Sequence, residues 1–442
     1  MTVKWQGRCS MLEWTAEQIA DAAGAALASG SATGGPSGAE IDSRKRLDGL
    51  LFVGLTGNNV DGGRFAEAAA AAGAWGVLVG EAWADIDAGG RPVLVASDPL
   101  AAMQRLATAW RHHLGCQVIG ITGSTGKTST KDLTRAMVAQ SRSVVATSQN
   151  LNTEIGLPLT ILGAPSGTEV LVLELAMRGR GQIAELTEIC DPDVGVIVNI
   201  GPVHLELLGT IEAIAATKAE LVAGMRAGTT AVLPADEPLL DPHRRSDLHT
   251  VTFGPGGDLA ELPDTISLPG ASAHMRLNAL AALAACRAIG IEPAGEIELE
   301  LSAMRGQRIS LPDGVTVIND CYNANPMSMR AALDDLTATA PGRKVAVLGD
   351  MLELGPQEGA FHTELGRQAL AAGVDVLVTA GPLAALAGAP YGGELHVAAD
   401  AAEAAELTAD IVQEGDTVLV KGSRGIGLEV VAERLTRERT DG

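Results

Sequence analysis

Aromatic residues are scarce: Phe, Trp and Tyr make up 2% of the 442 residues. The cores must therefore be built from Ala, Val, Leu and Ile, which suits helices packed on parallel strands. Cysteine is also rare. Cys9, Cys116, Cys190, Cys286 and Cys321 are odd in number and lack CxxC spacing, which argues against a disulfide framework or thiolate zinc site and predicts reduced thiols in the cytoplasm. No run of 18 or more residues is both apolar and free of charge, so no membrane insertion is expected. The opening MTVKWQGRCS has no apolar core and does not read as a secretory signal. A helix-like LEWTAEQIADAAG follows Met11, which makes Met11 an alternative start. Positive charge is in deficit. A net charge of −22 argues against nucleic acid or an anionic membrane as partner, since both need clustered Lys and Arg. An anionic small molecule must then be held by a few local cations and backbone N–H groups.

Hydrophobic residues make up 46% of the chain, enough for several cores, and the length predicts two to four domains. Three blocks emerge. Residues 1–112 hold an opening helix, a Gly/Ser-rich loop, and strand-like GLLFVGL and WGVLVGE. Residues 113–312 alternate strands and helices (VIGIT, KDLTRAMVAQ, VLVLEL, VGVIVNI and a helix from Ile211), the pattern of a parallel sheet covered by helices. Residues 313–442 give four short strands (GVTVIND, KVAVLGD, VDVLVTAG, DTVLVKGS) with helical spacers, a second doubly wound sheet. Its strands end in polar or flexible residues, as a ligand-binding edge requires.

The most specific segment is VIGITGSTGKTST, Val118 to Thr130. An apolar strand, a glycine-rich turn, then Lys-Thr opening a helix is the order that cradles phosphates. Backbone N–H groups from Gly123 through Ser124 and Thr125 to Gly126 are expected to point inward, Lys127 to meet the β/γ-phosphates, and a hydroxyl to take Mg²⁺. The strict pattern G-x-x-x-x-G-K-[ST] would need glycine where the chain has Ile121. The variant here is Gly-x-Thr-Gly-x-x-Gly-Lys-Thr.

Other residues carry open readings. Glu174 ends an apolar strand in the same sheet, either as a solvated strand end or as a hard oxygen donor for Mg²⁺. His204, in NIGPVHLELLG, reads as a structural hydrogen-bonder or a metal ligand. Lys218 lies on an Ala-rich helix, where composition alone gives a surface lysine. The cluster NDCYNANP, Asn319 to Pro326, is either a capped turn or a ligand contact. Lys421-Gly422-Ser423-Arg424 presents two cations at a strand end, suited to an anionic group or to solvent.

Taken together these motifs resemble one family, the Mur ligases, over nearly the whole chain. Asp42-Ser43-Arg44-Lys45 followed by LLFVGLTGNNVDGGRF is similar to its UDP-sugar-binding N-terminal domain. NLNTEIGLPLTIL, LELAMRGRGQI and NIGPVHLELLGTIEAIAATKAEL are similar to its central ATPase domain, and NDCYNANPMSM, VLGDMLELG and LVKGSRG to its C-terminal domain. The resemblance implies a three-domain α/β architecture, with a central P-loop ATPase sheet and a C-terminal Rossmann-like domain. It implies a monomeric, ATP- and Mg²⁺-dependent ligase joining D-alanyl-D-alanine to UDP-N-acetylmuramoyl-tripeptide in peptidoglycan precursor synthesis. Rival readings are a sibling ligase adding another amino acid, a folylpolyglutamate synthase, or a non-catalytic nucleotide-binding relative.

By resemblance, Lys127 and Thr128 serve the γ-phosphate and first Mg²⁺, Glu174 and His204 hold the second, and Lys218 carries a carbamate. Asn278 contacts adenine, Arg305 a phosphate and Asp320 the ribose side. Ser43 and Arg44 fall to the UDP-sugar-binding domain, Asn150 and Asn325 are substrate contacts, and Asn323, Lys421 and Ser423 lie near the acceptor or the reacting phosphate. The chain departs from the pattern at Gln149, at Thr153, in the short stretch from Phe253 to His274, and in the HMRLN sequence before Asn278.

Overall fold

A computed structural model describes residues 11–148, 150–269, 271–299, 302 and 304–440. Cys9, Gln149 and the start at Met1 lie outside the described residues. Among the described residues three large sheets and one two-stranded ribbon follow one another along the chain.

The first holds β1 (Ala26–Ser29), β2 (Ala39–Glu40), β3 (Leu51–Val53), β4 (Gly76–Gly80) and β5 (Val93–Ala96) in the order β1-β5-β4-β3-β2, parallel except for β1. The second is fully parallel: β6 (Gln117–Thr122), β7 (Val144–Ala146), β8 (Val170–Glu174), β9 (Val194–Ile197), β10 (Thr230–Pro234) and β11 (His249–Phe253), in the order β11-β10-β9-β6-β8-β7. A short ribbon pairs β12 (Ile266–Ser267) with β13 (Gly295–Glu296).

The third sheet holds β14 (Gln307–Ser310), β15 (Thr316–Asn319), β16 (Lys344–Gly349), β17 (Val376–Ala380), β18 (Glu394–Ala398) and β19 (Thr417–Lys421), ordered β14-β15-β19-β16-β17-β18. Only β14 runs antiparallel, entering through a hairpin over Asp313 and Gly314. The sequence pattern identifies the four inner strands. It does not reveal β14 and β18, because both are edge strands exposed along much of their length and lack a continuous apolar run.

The helix Pro99–Leu114 joins the first unit to the second. Its N-cap Asp98 accepts from Leu100 and Ala101 N–H, Pro99 opens it, and Gly115 closes it at φ +61°. Met103, Leu106 and Trp110 on this helix bury into one apolar cluster that runs from Met11 through Leu171 to Leu248. The first two units thus share a core, while the third sheet has its own cluster on each face. The short helix Leu205–Leu208 of the second unit packs on the turn Gly355–Gln357 of the third, beside a cleft between the two units.

Candidate active site

In the second sheet β6 lies between β8 and β9, so the loops after these three strands meet at one edge. The turn after β6 is the glycine loop. Gly126 sits at φ +74°, and a Cβ there would lie 2.5 Å from Asn278 Oδ1, so only glycine lets helix Ala273–Ala288 approach. The next helix, Lys127–Val138, starts immediately. Lys127 Nζ donates to the Gly123 carbonyl at 2.7 Å, and burial pushes its pKa below the ordinary value, opposed by the Glu174 carboxylate nearby.

One expectation changes here. The Ser124 and Thr125 N–H groups donate to Asn199, at 3.1 Å to its carbonyl and 2.9 Å to Oδ1, instead of both facing the cleft. Asn199 follows β9, the neighbour of β6, and is placed to satisfy the loop. The sequence signal was only its position at a strand end.

Thr128 Oγ1 donates to Glu174 Oε2 at 2.7 Å, and Asn152 Nδ2 donates to Glu174 Oε1 at 2.9 Å. Glu174 is 1% exposed, which rules out the solvated strand end. His204 stands in the turn after β9 in a left-handed conformation, φ +54°. Burial lowers its pKa and favours the neutral ring, against the pull of Glu353, whose carboxylate Oε2 bonds Nδ1 from the third unit. Lys218, on helix Ile211–Gly224, is 2% exposed, so the surface reading fails. Burial first, and the charge of Lys127 second, hold its pKa well below the usual lysine value. Glu220 on the same helix is occupied elsewhere, accepting from Gly181 and Ala184 N–H.

The third unit closes the opposite wall. The Arg305 guanidinium lies 3.9 Å from the Tyr322 ring centroid. Lys421 Nζ pairs with Asp320 Oδ2 at 2.6 Å and donates to the Asn323 carbonyl at 3.0 Å, and Arg424 pairs with Glu429 at 3.0 Å. The two cations expected at this strand end are therefore already paired, because Asp320 after β15 and Glu429 at the start of helix Glu429–Thr440 reach them. Asn325 caps helix Pro326–Thr339 with Ser328 in a reciprocal capping box, the turn-forming alternative for this residue. Ser423 Oγ accepts from Leu352 N–H at 3.0 Å, tying the loops after β19 and β16 together.

A cleft of about 1940 Å³ between the second and third units is lined by Ser124, Thr125, Gly126, Lys127, Asn150, Glu174, His204, Lys218, Asn278, Arg305, Asp320, Asn323, Asn325, Lys421 and Ser423. Gly123 and Thr128 sit just behind its wall, joined to it through Lys127 and Glu174. Ser43 and Arg44 are not among the lining residues; Arg44 forms a forked pair with Asp42 on the first unit and its side chain is 87% exposed. Asn152, Asn199 and Glu353 join the site although sequence reasoning singled out none of them, and Tyr322 joins it from the NDCYNANP cluster.

The comparisons agree with this geometry. Residues 121–286 match the Mur ligase middle domain, and 304–424 match the Mur ligase, glutamate ligase domain. The UDP-N-acetylmuramoyl-tripeptide–D-alanyl-D-alanine ligase of Bacillus subtilis is 36% identical over 90% of this chain and 93% of its own length; that of Escherichia coli is 32% identical over the same shares. Among solved structures, MurF from Acinetobacter baumannii superposes with TM-score 0.84 at 27% identity, covering 96% of this chain and 99% of its own. MurF ligase from Thermotoga maritima, in complex with ADP, gives TM-score 0.79 at 30% identity over 90% of this chain and 97% of its own. The glycine loop facing the third unit across this cleft, with relatives at least 30% identical matched along nine tenths of the sequence, establishes that the chain belongs to the Mur ligase family.

Proposed function

We propose that this protein is a cytoplasmic, monomeric ligase that uses ATP to join D-alanyl-D-alanine to UDP-N-acetylmuramoyl-tripeptide in peptidoglycan precursor synthesis. The observation that carries the reading is the single cleft in which the glycine loop, Glu174, His204 and Lys218 face Arg305, Asp320 and Asn323. In this reading residues 1–112 bind the UDP-sugar through Ser43 and Arg44, 113–312 bind the nucleotide, and 313–442 the acceptor. The tripeptide carboxylate attacks the γ-phosphorus and ADP leaves, giving an acyl phosphate. The amine of D-alanyl-D-alanine then attacks the acyl carbon, forming the amide and expelling phosphate. Lys127 neutralises charge on the transferred phosphoryl group, the dominant demand of such chemistry. Asn278 and Asp320 orient the nucleotide, and Arg305 holds a phosphate. Asn150, Asn323, Asn325, Lys421 and Ser423 shape the substrate side of the cleft, and closure of the third unit excludes water from the acyl phosphate.

The site also fits Mg²⁺. The Thr128 hydroxyl and Glu174 carboxylate, 2.7 Å apart, are hard oxygen donors, and His204 is the third candidate ligand. When bound, Mg²⁺ supplies compensation for the crowded phosphate charge. Among the described residues no group of three His, Cys, Asp or Glu side chains completes a metal site. A carbamate on Lys218 would supply further oxygen: the depressed pKa favours a free amine, which attacks CO₂, forms an N–C bond and releases a proton. The testing experiment is phosphate release with ATP and UDP-N-acetylmuramoyl-tripeptide against a panel of amino acids and dipeptides. D-alanyl-D-alanine should give the highest kcat/KM; a far better single amino acid would instead make this a sibling ligase.

A further inference from the structure

Two non-glycine residues in left-handed conformations face each other across the boundary between the second and third units: His204 at φ +54° and Glu353 at φ +63°. Each such conformation is strained for a residue with a side chain and persists only where the surroundings impose it. The surroundings of Glu353 do so. In the turn after β16, the Met351 N–H donates to His362 Nε2 at 2.8 Å, and buried His362 in turn bonds the Glu358 carbonyl through Nδ1 at 2.7 Å. The Leu352 N–H donates to Ser423 Oγ at 3.0 Å, and Asp350 Oδ1 accepts from the Ala384 N–H at 2.6 Å. The loop is thus braced on both sides of the residue it projects. Its tip reaches the second unit at His204, Arg178 and Glu206: the Glu353 carboxylate bonds His204 Nδ1 through Oε2 and lies 3.9 Å from Arg178 Nε through Oε1, and the Glu353 carbonyl accepts from the Glu206 N–H at 3.3 Å.

The bond at His204 has a definite polarity. An ionised carboxylate can only accept, so Nδ1 must carry the hydrogen, and in a neutral imidazole that leaves the lone pair on Nε2. We propose that Glu353 is a positioning residue for His204: supplied by the third unit, it fixes the imidazole as the Nδ1–H tautomer and so presents Nε2 as the metal-binding nitrogen when that unit is docked. The acceptor-binding unit would in this way help to assemble the metal site of the nucleotide-binding unit. The inference rests on the reading of His204 as a metal ligand given above. Carboxylates behind ligating histidines commonly contribute 10–100-fold to metal affinity.

The test uses the full chain labelled with ¹⁵N-histidine, without metal, and the variants Glu353→Ala, Glu353→Gln and His204→Gln, each checked for folding by circular dichroism and thermal unfolding. The His204 nitrogens, assigned by comparison with His204→Gln, should show the Nδ1–H tautomer in the wild type. They should move toward Nε2–H in Glu353→Ala and stay near wild type in Glu353→Gln, whose amide oxygen can still accept. Mn²⁺ titration by electron paramagnetic resonance should show affinity falling about tenfold or more in Glu353→Ala and much less in Glu353→Gln. Unchanged His204 shifts in a folded Glu353→Ala protein would overturn the pairing. Unchanged Mn²⁺ affinity in Glu353→Ala, where His204→Gln does weaken it, would overturn the positioning role alone. If His204→Gln leaves Mn²⁺ affinity untouched, the ligand reading of His204 fails, and the proposal with it.

Discussion

The Thr128 hydroxyl donates to Glu174 Oε2 at 2.7 Å and so joins the first turn of the P-loop helix to the end of β8. The strand register explains the meeting: Ile121 of β6 stands opposite Glu174, and the glycine loop begins two residues later. Two residues 46 positions apart in sequence thereby become one buried oxygen pair beside Lys127.

Lys127→Ala should lower kcat by about 10²–10³-fold or more, the scale seen when a preorganised charge-stabilising group is removed. Among the described residues its ammonium bonds a loop carbonyl, that of Gly123, so the far-ultraviolet circular dichroism should not change. Near wild-type turnover by a folded variant would refute the P-loop assignment.

Gly126→Ala should raise KM for ATP about tenfold or more while leaving a folded protein. The new Cβ would be 2.5 Å from Asn278 Oδ1 at a φ of +74°, so the loop or the Asn278 side chain must shift. Unchanged ATP affinity by calorimetry would show that neither contributes to the nucleotide site.

Lys218→Ala should lose most activity, with partial recovery in added short-chain carboxylates and a CO₂ adduct on Lys218 in the wild type by mass spectrometry. The unmodified amine also sets a pH dependence. Its folded pKa is depressed, so between that value and the ordinary 10.5 the unfolded chain binds one more proton. Stability then rises with pH through this window, and the cost is fully present below it. In CO₂-depleted buffer Lys218→Met should therefore raise Tm by a few degrees at neutral pH, with the gain shrinking toward pH 10.5. A gain that does not shrink would assign the effect to packing.

Lys421→Met should destabilise by about 3 kcal/mol, because it leaves Asp320 beside a buried position without its partner. The double variant Lys421→Met with Asp320→Asn should recover a good part of this. Additive losses in denaturant unfolding would mean that the pair contributes no coupling.

Much of this molecule can be read directly from the chain. Apolar runs such as Val118–Thr122 and Val170–Glu174 specify buried parallel strands whatever their neighbours are, and Gly126-Lys127-Thr128 after one of them specifies a tight glycine turn into a helix. These are local consequences of hydrophobic patterning and backbone freedom. Lys218 is different: an Ala-rich helix gives no hint that packing will bury its amine beside another lysine, and only the tertiary structure depresses its pKa. Lys421 and Asp320 lie 101 residues apart, and their charges cancel only because β15 and β19 run side by side. Glu353 was one acidic residue in an acidic chain until the turn after β16, braced by His362 and Ser423, carried it to His204. Periodicity and turn chemistry act over a few residues, so sequence specifies the elements. Which strand ends converge depends on sheet order and on docking of the third unit, and these decide which side chains share a charge, a proton or a ligand.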